Sequence, residues 1–436
     1  MRKYSFIAML TVCFGFFATS FTQGQGVPWV KQVITSNSGN FEYTPPYQDF
    51  VTLQAYNLQT QSVSVFNTIY TQSSQDICIC RHAAYVASQD SIIKYDLNNF
   101  SRMAAVADSG LSRIYLLGDK LLVSKQYPVS QYFLEVLDTT DLSLVARVEG
   151  IGGDCGGIAA VQDTVYVAVN GGWMGTEGKL AVIETAGWTL QREINFGADA
   201  IGIMQIYPFH NHIITVNKSP YATPEVGSIT NYNIADQTFS NTVLNLNVGN
   251  GTGIKGGLLY FGLKYGIGSM DLNTMEIADT TLVPDPGSAF FRYITSAALD
   301  TVNDRFYVNT GDYVSPGTCL VTNLAGDSIT SYATGISSDA IAVDYREYPL
   351  GIPGIEQESR LLTVYPNPAT EKISLNWSKS LEAGEILIVS VTGKTVFRSV
   401  NTDQPCVLDI RKLPAGMYCV IVKSHDGYLQ NKFLKQ

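Results

Sequence analysis

The sequence predicts an all-β protein, a seven-bladed β-propeller followed by a small β-sandwich. Only 15% of its 436 residues are charged, and Gly (38) and Tyr (25) are abundant, which favours pleated strands joined by tight turns. A repeat of about 40 to 48 residues also runs through the middle of the chain. Since one hydrophobic core rarely grows beyond about 250 to 300 residues, at least two domains are expected.

Residues 1–20 have the pattern of a secretory signal peptide. Arg2 and Lys3 form a positive head, an apolar run extends from Tyr4 to Phe17, and small residues follow at Ala18-Thr19-Ser20. The run is too short for a membrane span, and no other stretch approaches the roughly twenty apolar residues of a transmembrane helix. The mature chain is therefore expected to leave the cytoplasm through the periplasm.

Net charge and cysteine usage limit the classes of partner and indicate the state of the cysteines. The chain has 28 basic and 38 acidic residues, and this acidic balance argues against a nucleic-acid partner. The cysteines after the signal peptide lack the dense spacing of a disulfide-stapled domain. We expect buried thiols, with a Cys406–Cys419 disulfide as the best exception, at Cys78, Cys80, Cys155, Cys319, Cys406 and Cys419.

Three anchors recur along the repeat. A short β run is centred on Tyr85, Leu122, Tyr166, Ile214, Tyr260 and Tyr307. An alternating strand then ends in an acid or amide whose side chain is expected to bond the following turn, at Asp96, Asp138, Glu184, Asn233, Asp271 and Asn323. A Gly- or Ser-rich corner then leads into a strand of small residues, and it occurs seven times between Asp76 and Asp339.

Four short strands per unit predict a propeller over residues 25–345 rather than a solenoid. The segment Asp49 to Thr68 is expected to supply blade one, and rings of six or eight blades remain alternatives because this unit diverges most. The small-residue strand, the LYV run and the LxVxDxxT pattern together resemble the YncE-like propellers, including those on Bacteroidetes cell surfaces. That resemblance implies a fold and carries no catalytic signature.

The C-terminal residues form a second domain. Segment 346–360 contains four Pro and Gly residues and is predicted to be a linker, and 361–436 alternates as a small β-sandwich. Its ordered motifs include Tyr365, Pro366, Asn367, Pro368, Gly393, Lys394, Gly416 and a terminal KFLK. These motifs resemble the C-terminal sorting domain of the type IX secretion system. The resemblance implies a secreted or cell-surface cargo whose partner is that machinery.

The loops after the second and fourth strands of each blade should open on one rim of the ring. Exposed aromatic side chains there would bury a large area at small entropic cost. We predict ligand contacts at Tyr127, Trp173, Tyr221, Tyr265, Tyr313 and Arg292. The alternative is that these rings only cap the loops against one another.

Acidic and histidine residues offer weaker candidates for chemistry. Carboxylates at the channel mouth could converge for acid–base work or hold calcium, at Asp76, Asp154, Asp199 and Asp339. The alternative is that each carboxylate bonds the amides of its own corner. His210 and His212 are predicted to share one strand face and to pack there, and no histidine has zinc spacing with cysteine. No metal and no cofactor are predicted.

Three functions remain open at this stage. The first is a surface module that captures a small ligand, corrinoid-like or glycan, beside a surface transporter. Some propellers of the resemblance group capture cobalamin in this way. The second is a propeller enzyme of the lyase or lactonase type, and the third is a protein-binding adhesive scaffold. The sequence has no nucleophile elbow, Walker loop or dinucleotide fingerprint, so binding is favoured and catalysis is left undecided.

Overall fold

The computed structural model describes residues 28–42, 44–218, 226–264, 266–287, 293–347, 362–377, 383–390, 394–400, 406–424 and 427–436. Predicted signal residues 1–20 lie outside these ranges. Chain contacts separate one compact unit, Pro28–Arg346, from a second that includes Glu347–Gln436. Within the described residues of both units the regular structure is β, apart from two 3₁₀ turns at Gly172–Met174 and Ala198–Ala200.

In the first unit the described residues form seven four-stranded sheets, here called blades. Blade 1 contains β1 (Pro28–Asn37), β2 (Val51–Asn57) and β3 (Ser62–Ile69). Blade 2 contains β4 (Asp76–Cys80), β5 (Ala83–Ser88), β6 (Ser91–Asp96) and β7 (Arg102–Ala107). Blade 3 contains β8 (Leu111–Leu117), β9 (Lys120–Lys125), β10 (Leu134–Asp138) and β11 (Leu144–Val148). Blade 4 contains β12 (Cys155–Val161), β13 (Thr164–Val169), β14 (Lys179–Glu184) and β15 (Thr189–Asn195).

Blades 5 to 7 repeat the same order. Blade 5 contains β16 (Ile203–Phe209), β17 (His212–Asn217), β18 (Ser228–Asn233) and β19 (Phe239–Val243). Blade 6 contains β20 (Val248–Lys255), β21 (Leu258–Leu263), β22 (Gly266–Asp271) and β23 (Glu276–Pro284). Blade 7 contains β24 (Ile294–Asp300), β25 (Arg305–Thr310), β26 (Thr318–Asn323) and β27 (Ser328–Ala333). The last strand, β28 (Ser338–Glu347), returns to blade 1 as its inner strand.

Blade 1 is therefore closed by strands from both ends of the unit. Its order is β28-β1-β2-β3, and the Ser38 N–H donates to the Ser337 carbonyl over 2.8 Å. At the other end of the pair, Gln32 Nε2 donates to Asp344 Oδ2 over 2.9 Å. The predicted segment Asp49 to Thr68 provides only the two outer strands, because β1 lies upstream of it and β28 comes from the far end.

Seven hydrophobic clusters lie between neighbouring blades in cyclic order, within the part of the chain that the structure describes. The second strand of each blade serves two of them, because successive side chains point to opposite faces. In β25, for example, Phe306 and Val308 face blade 6, whereas Tyr307 faces blade 1. Since one cluster joins blade 7 to blade 1, the sheets close into a ring. The predicted seven-bladed propeller is confirmed.

The predicted turn acids and amides also behave as expected. Each accepts a backbone N–H two residues further on, as Asp96 Oδ1 does from Asn98 over 2.8 Å. The same bond forms at Asp138, Glu184, Asn233, Asp271 and Asn323. Asn57 makes it in blade 1, where its Oδ1 accepts the Gln59 N–H over 2.9 Å. Sequence reasoning missed Asn57 because the blade-1 repeat diverges.

The second unit contains seven strands in its described residues. They are β29 (Thr363–Tyr365), β30 (Lys372–Asn376), β31 (Ala383–Ser390), β32 (Thr395–Ser399), β33 (Cys406–Asp409), β34 (Gly416–Ser424) and β35 (Gly427–Lys435). They form two sheets, β29-β30-β33 and β32-β31-β34-β35. Ile373 and Leu375 of one sheet share a buried core with Ile388, Val420 and Phe433 of the other. This is the predicted β-sandwich.

All six described cysteines are thiols, as expected, although Cys80 is exposed and not buried. The Cys406–Cys419 disulfide, given as the best exception, is not formed. Cys406 lies in the core between the two sheets, whereas Cys419 is on the opposite face of its sheet, beside Leu387 and Ile421. Because adjacent side chains alternate along β34, Val420 takes the inward position next to Cys419.

We expect Gly157→Ala to destabilise the ring. A Cβ at Gly157 on β12 would lie 2.8 Å from Gln205 Cα on β16, and backbone cannot move aside as a side chain end can. Overpacking of this kind costs about 1 to 3 kcal/mol in the free energy of unfolding. Gly153→Ala is the control, because its nearest neighbour would be Val169 Cγ1 at 4.0 Å. Urea unfolding, followed at the transition of the propeller, measures the stability of both variants. Equal stabilities would contradict the close approach of β12 to β16 at Gly157.

Candidate functional site

The loops after second and fourth strands meet at one end of the ring, here called the upper rim. Hydrogen bonds between blades join residues at this end. Ser74, before β4, donates its N–H to Ser38 Oγ after β1 over 3.0 Å, and Thr295 Oγ1 on β24 donates to the Ser338 carbonyl on β28 over 2.8 Å. The upper rim is thus one continuous surface built from the starts of inner strands and the ends of second strands.

Two of the six predicted contact residues have described side chains, and both lie on the upper rim. Tyr127 follows the second strand β9, and its side chain is 83% exposed. Tyr313 follows the second strand β25 and is 49% exposed. The side chain of Trp173 and all of Tyr221, Tyr265 and Arg292 lie outside the described residues. The structure therefore brings Tyr127 and Tyr313 to the same end and leaves the other four as predictions.

Blade 1 adds three exposed rings that the sequence analysis missed. Phe41 and Tyr47 lie between β1 and β2, and Tyr70 lies between β3 and β4. They were missed because β1 was not predicted as the second strand of blade 1. The signal that could have found them is the apolar alternation of WVKQVIT just upstream of an aromatic, Pro-rich loop.

Some rim aromatics pack on the protein itself. Tyr70 meets Phe50 edge to face, with ring centroids 5.1 Å apart. The Arg147 guanidinium lies over the Tyr132 ring, 5.6 Å from its centroid, and Arg147 is also paired with Glu135. For these rings the capping interpretation holds. For Tyr127, among the described residues, no aromatic or cation–π partner is found.

Hydrogen bonds fix the backbone at Tyr313 on the upper rim. Its φ of 64° is in the left-handed region, which costs a non-glycine residue about 1 to 2 kcal/mol. Asp312 Oδ1 compensates by accepting the N–H groups of Val314 (3.0 Å) and Ser315 (2.6 Å). Burial, then the Asp339 carboxylate, raises the pKa of the Tyr313 hydroxyl. These bonds fix the backbone at Tyr313, and the Asp339 carboxylate that acts on its hydroxyl lies at the start of β28.

Asp76 and Arg113 form a polar pair in the channel wall. Arg113 Nη1 lies 3.8 Å from Asp76 Oδ1 and donates to the Gln75 carbonyl over 3.1 Å. Asp76 also accepts the backbone N–H groups of Ile77 and Ile114, each over 3.0 Å. Burial raises the pKa of Asp76, and Arg113 opposes that rise. Asp76 thus accepts hydrogen bonds from its own corner and from the next blade. This agrees with the alternative that each of these carboxylates bonds the amides of its own corner.

Asp339 links three strands at the closure of the ring. Its Oδ2 accepts the Ser38 hydroxyl over 2.5 Å, and Ser38 Oγ in turn accepts the Ser74 N–H. Burial raises the pKa of Asp339 to about 6, opposed by the Ser38 hydrogen bond. No group of three His, Cys, Asp or Glu side chains that could hold a metal occurs among the described residues.

The predicted pairing of His210 and His212 on one strand face is wrong. His210 lies in the turn before β17 with φ of 52° and packs on the Phe209 ring. His212 begins β17, and its Nδ1 is 2.7 Å from Asn231 Oδ1. The turn separates the two side chains, and each is engaged by its own neighbours.

The sorting motifs of the second unit meet in space. Asn367 Nδ2 donates to the Lys432 carbonyl over 3.0 Å, and Asn367 Oδ1 accepts the Leu434 N–H over 2.9 Å. Ala369 N–H donates to the Leu434 carbonyl over 2.8 Å. One amide side chain therefore holds the YPNPA segment to the KFLK strand. Lys394 is exposed and Gly416 opens β34, whereas Gly393 lies outside the described residues.

Comparison with known proteins identifies this unit. Residues 363–436 match the family described as the secretion system C-terminal sorting domain. The predicted localisation is confirmed: the protein is exported by the type IX secretion system to the cell surface or beyond it. In the described part of the chain, no helix has the length and apolarity needed to cross a membrane.

Other comparisons give only distant similarities. No curated protein matches the chain. A designed protein, Ika8, is 11% identical over 83% of this chain and 96% of its own, with a TM-score of 0.43. The extracellular domain of the one component system BT4673 of B. thetaiotaomicron is 12% identical over 92% of this chain and 57% of its own, with a TM-score of 0.47. The RRP9 WD40 repeats are 12% identical over 62% of this chain and 83% of their own, with a TM-score of 0.48. With TM-scores below 0.5, none of them bears on the function.

We expect Asp339→Asn to change how stability depends on pH. An unfolded Asp has a pKa of about 3.9, so the folded protein, with Asp339 at about 6, binds this proton more tightly. The stabilisation that the protonated Asp339 carboxyl provides is full below about pH 4 and is lost as the pH rises through 6. Relative to the variant, the wild type should lose about 1 to 3 kcal/mol between pH 4 and 7.

Denaturant unfolding at several pH values measures this difference. Ser38→Ala removes the hydroxyl that stabilises the charged carboxylate, so it should raise the pKa of Asp339 and extend the loss to higher pH. Parallel pH profiles for wild type and Asp339→Asn would contradict the assignment.

Proposed function

We propose that this exported propeller is a capture module that binds a small ring-bearing ligand on its upper rim. The exposure of Tyr127 and Tyr313 at the same end of the ring carries the proposal. Phe41 and Tyr47 extend the aromatic surface to blade 1. Exposed aromatic clusters rimmed by polar groups mark interaction sites, because such apolar area is otherwise unfavourable in water.

The polar groups beneath this collar suit an amphipathic ligand. Asp339 and the Asp76–Arg113 pair lie at the inner strands, so a flat ring could stack on tyrosine while its polar substituents reach the channel mouth. A corrinoid-like compound or a glycan has this combination. We infer that Trp173, Tyr221, Tyr265 and Arg292 complete the site, and that the propeller is of the YncE-like type.

The two other functions have less support. A lyase or lactonase needs an acid and a base that converge, whereas Asp76 and Asp339 each engage hydrogen-bond donors of the strands that surround them. An adhesive scaffold would use the same rim for a macromolecule. Binding of a small molecule is favoured because Asp312 fixes the backbone at Tyr313 and polar groups lie at the inner strands.

The proposed organisation follows from this function. We infer a signal peptide at 1–20, a propeller over 25–345, a linker at 346–360 and a sorting domain at 361–436. The propeller would meet its ligand outside the cell and pass it to a surface transporter. The type IX machinery is the partner during export only.

We expect one of three organic probes, cyanocobalamin, haem or a maltooligosaccharide, to raise the melting temperature of the protein, and Ca²⁺ is tested beside them. For the organic probe that does so, Tyr127→Ala and Tyr313→Ala should each weaken binding by more than about 1 kcal/mol, as loss of an aromatic anchor does. Titration calorimetry measures the affinity.

Met103→Ala is the matched control, because Met103 is equally exposed (49%) but lies at the start of β7, away from the upper rim. Its affinity should equal that of the wild type. A shift with Ca²⁺ alone would overturn capture and favour the enzyme. Unchanged affinity in both tyrosine variants would place the ligand elsewhere.

Deletion of residues 362–436 should leave the propeller in the periplasm. The sorting unit has its own buried core, so its loss does not remove any of the seven interblade clusters. Cell fractionation with a propeller-specific antibody measures the distribution. Asn367→Ala should reduce export in the same direction, because it removes both bonds to the KFLK strand; normal export of the deletion variant would contradict the role of the tail.

A further inference from the structure

A groove of about 240 Å³ lies at the opposite end of blade 1, where the ring is closed. It is lined by Lys31, Gln32, Ala55, Asn57, Ser62, Ser64, Leu97, Asn98 and Phe100. These residues come from β1, β2 and β3 and from the turn between β6 and β7 of blade 2. At about 30 Å³ per molecule, the space equals about eight waters. That is below the roughly 300 Å³ of drug-sized sites, so its occupant is small.

Strand register explains why this part of the seam, the interface between blades 1 and 2, is polar. Gln32 pairs with Asn57, and Asn57 pairs with Ser62. One row across three strands thus carries an amide, an amide and a hydroxyl. In the next row Ala55 pairs with Ser64, which leaves space where the rest of the seam holds Leu53 and Val86. The groove is therefore lined by hydrogen-bonding groups.

The two cations at the groove differ in their direct partners. The Arg346 guanidinium is neutralised by the fully buried Asp344, with Nη2 2.8 Å from Oδ2. Lys31 Nζ instead donates to two neutral acceptors, the Leu97 carbonyl and Asn98 Oδ1, each at 3.4 Å. Within the described residues, no carboxylate lies within 4 Å of Lys31 Nζ. Burial, then Arg346, lowers the pKa of Lys31, and the carboxylates of Asp344 and Asp96 oppose that shift.

An apolar surface completes the groove. Phe100 lies at its edge and is stacked on Phe66 with ring centroids 4.5 Å apart, and Ala55 is buried beside it. Hydroxyl and amide groups next to an aromatic side chain suit a sugar ring, and an ammonium without a direct carboxylate partner suits an oxyanion.

We propose that this groove binds an acidic monosaccharide unit, a sugar ring that carries a carboxylate. Lys31 pairs with the carboxylate, Asn57, Ser62 and Ser64 hydrogen-bond the hydroxyls, and Phe100 contacts the ring. The proposal does not rest on the capture function of the upper rim, since no residue is shared between the two sites.

Calorimetric titration of the full chain with D-glucuronate tests it, with D-glucose as the uncharged ring and sodium sulfate as the oxyanion without a ring. Glucuronate should bind more tightly than both. Glucose that binds equally well would overturn the ion pair, sulfate that binds equally well would overturn the sugar site, and an absence of heat with all three would overturn the proposal.

Variants locate the site. Lys31→Met keeps the side-chain stem and should weaken glucuronate binding by about tenfold or more, the loss expected for a charged hydrogen bond. Lys31→Arg should retain binding. Lys255→Met is the matched control, because Lys255 lies at the end of β20 and donates to the Thr301 carbonyl at another seam; it should bind like the wild type.

A second variant separates loss of the binding site from loss of folding. Ser64 is on the exposed strand β3, so Ser64→Leu should fill the groove, abolish glucuronate binding and leave the melting temperature near that of the wild type. Wild-type affinity in both Lys31→Met and Ser64→Leu would place glucuronate elsewhere and overturn the proposal.

Discussion

Pairing of β28 with β1 is the constraint on which the ring depends. The two strands are about 300 residues apart, and Ser338 Oγ donates to Asn37 Oδ1 across a separation of 301. Closing such a loop costs about 5 kcal/mol in chain entropy, plus a constant. Closure completes the two clusters on either side of blade 1. Each large side chain buried there contributes about 1.5 to 3 kcal/mol, so a few of them offset the cost.

Polar side chains fix the register of this closure. An apolar strand could slip by two residues and still bury its side chains, but Asn37, Gln32 and Asp344 are buried and would lose their partners. An unsatisfied buried polar group costs about 1 to 3 kcal/mol, which disfavours each slipped register. The same arrangement brings Asp339 to Ser38 on the upper rim and leaves the polar groove at the other end. Both candidate sites are thus consequences of one closure.

Sequence periodicity predicted blades 2 to 7 well, because each blade is a local meander whose alternation and turn acids are visible within one repeat. It did not assign β1, because the blade-1 repeat diverges and one of the two partners of β1, β28, comes from the far end of the unit. Hence Tyr127 and Tyr313 were placed on the upper rim, but Phe41, Tyr47 and Tyr70 were missed. The groove was missed for the same reason, since the row Gln32–Asn57–Ser62 exists only once the register is known. The facing of Cys406 and Cys419 likewise required the sheet order.

The two ends of the ring differ because their connections differ. At the upper rim five of the seven second-strand connections are long, such as 38–50, 126–133 and 311–317, and long loops have room for exposed rings. At the lower end each connection between a third and a fourth strand is a short turn held by its own acid or amide, as at 58–61 and 97–101. Such turns present few side chains. Recognition at that end is therefore favoured within an interface between blades, such as the one between blades 1 and 2, where the row Gln32–Asn57–Ser62 carries two amides and a hydroxyl.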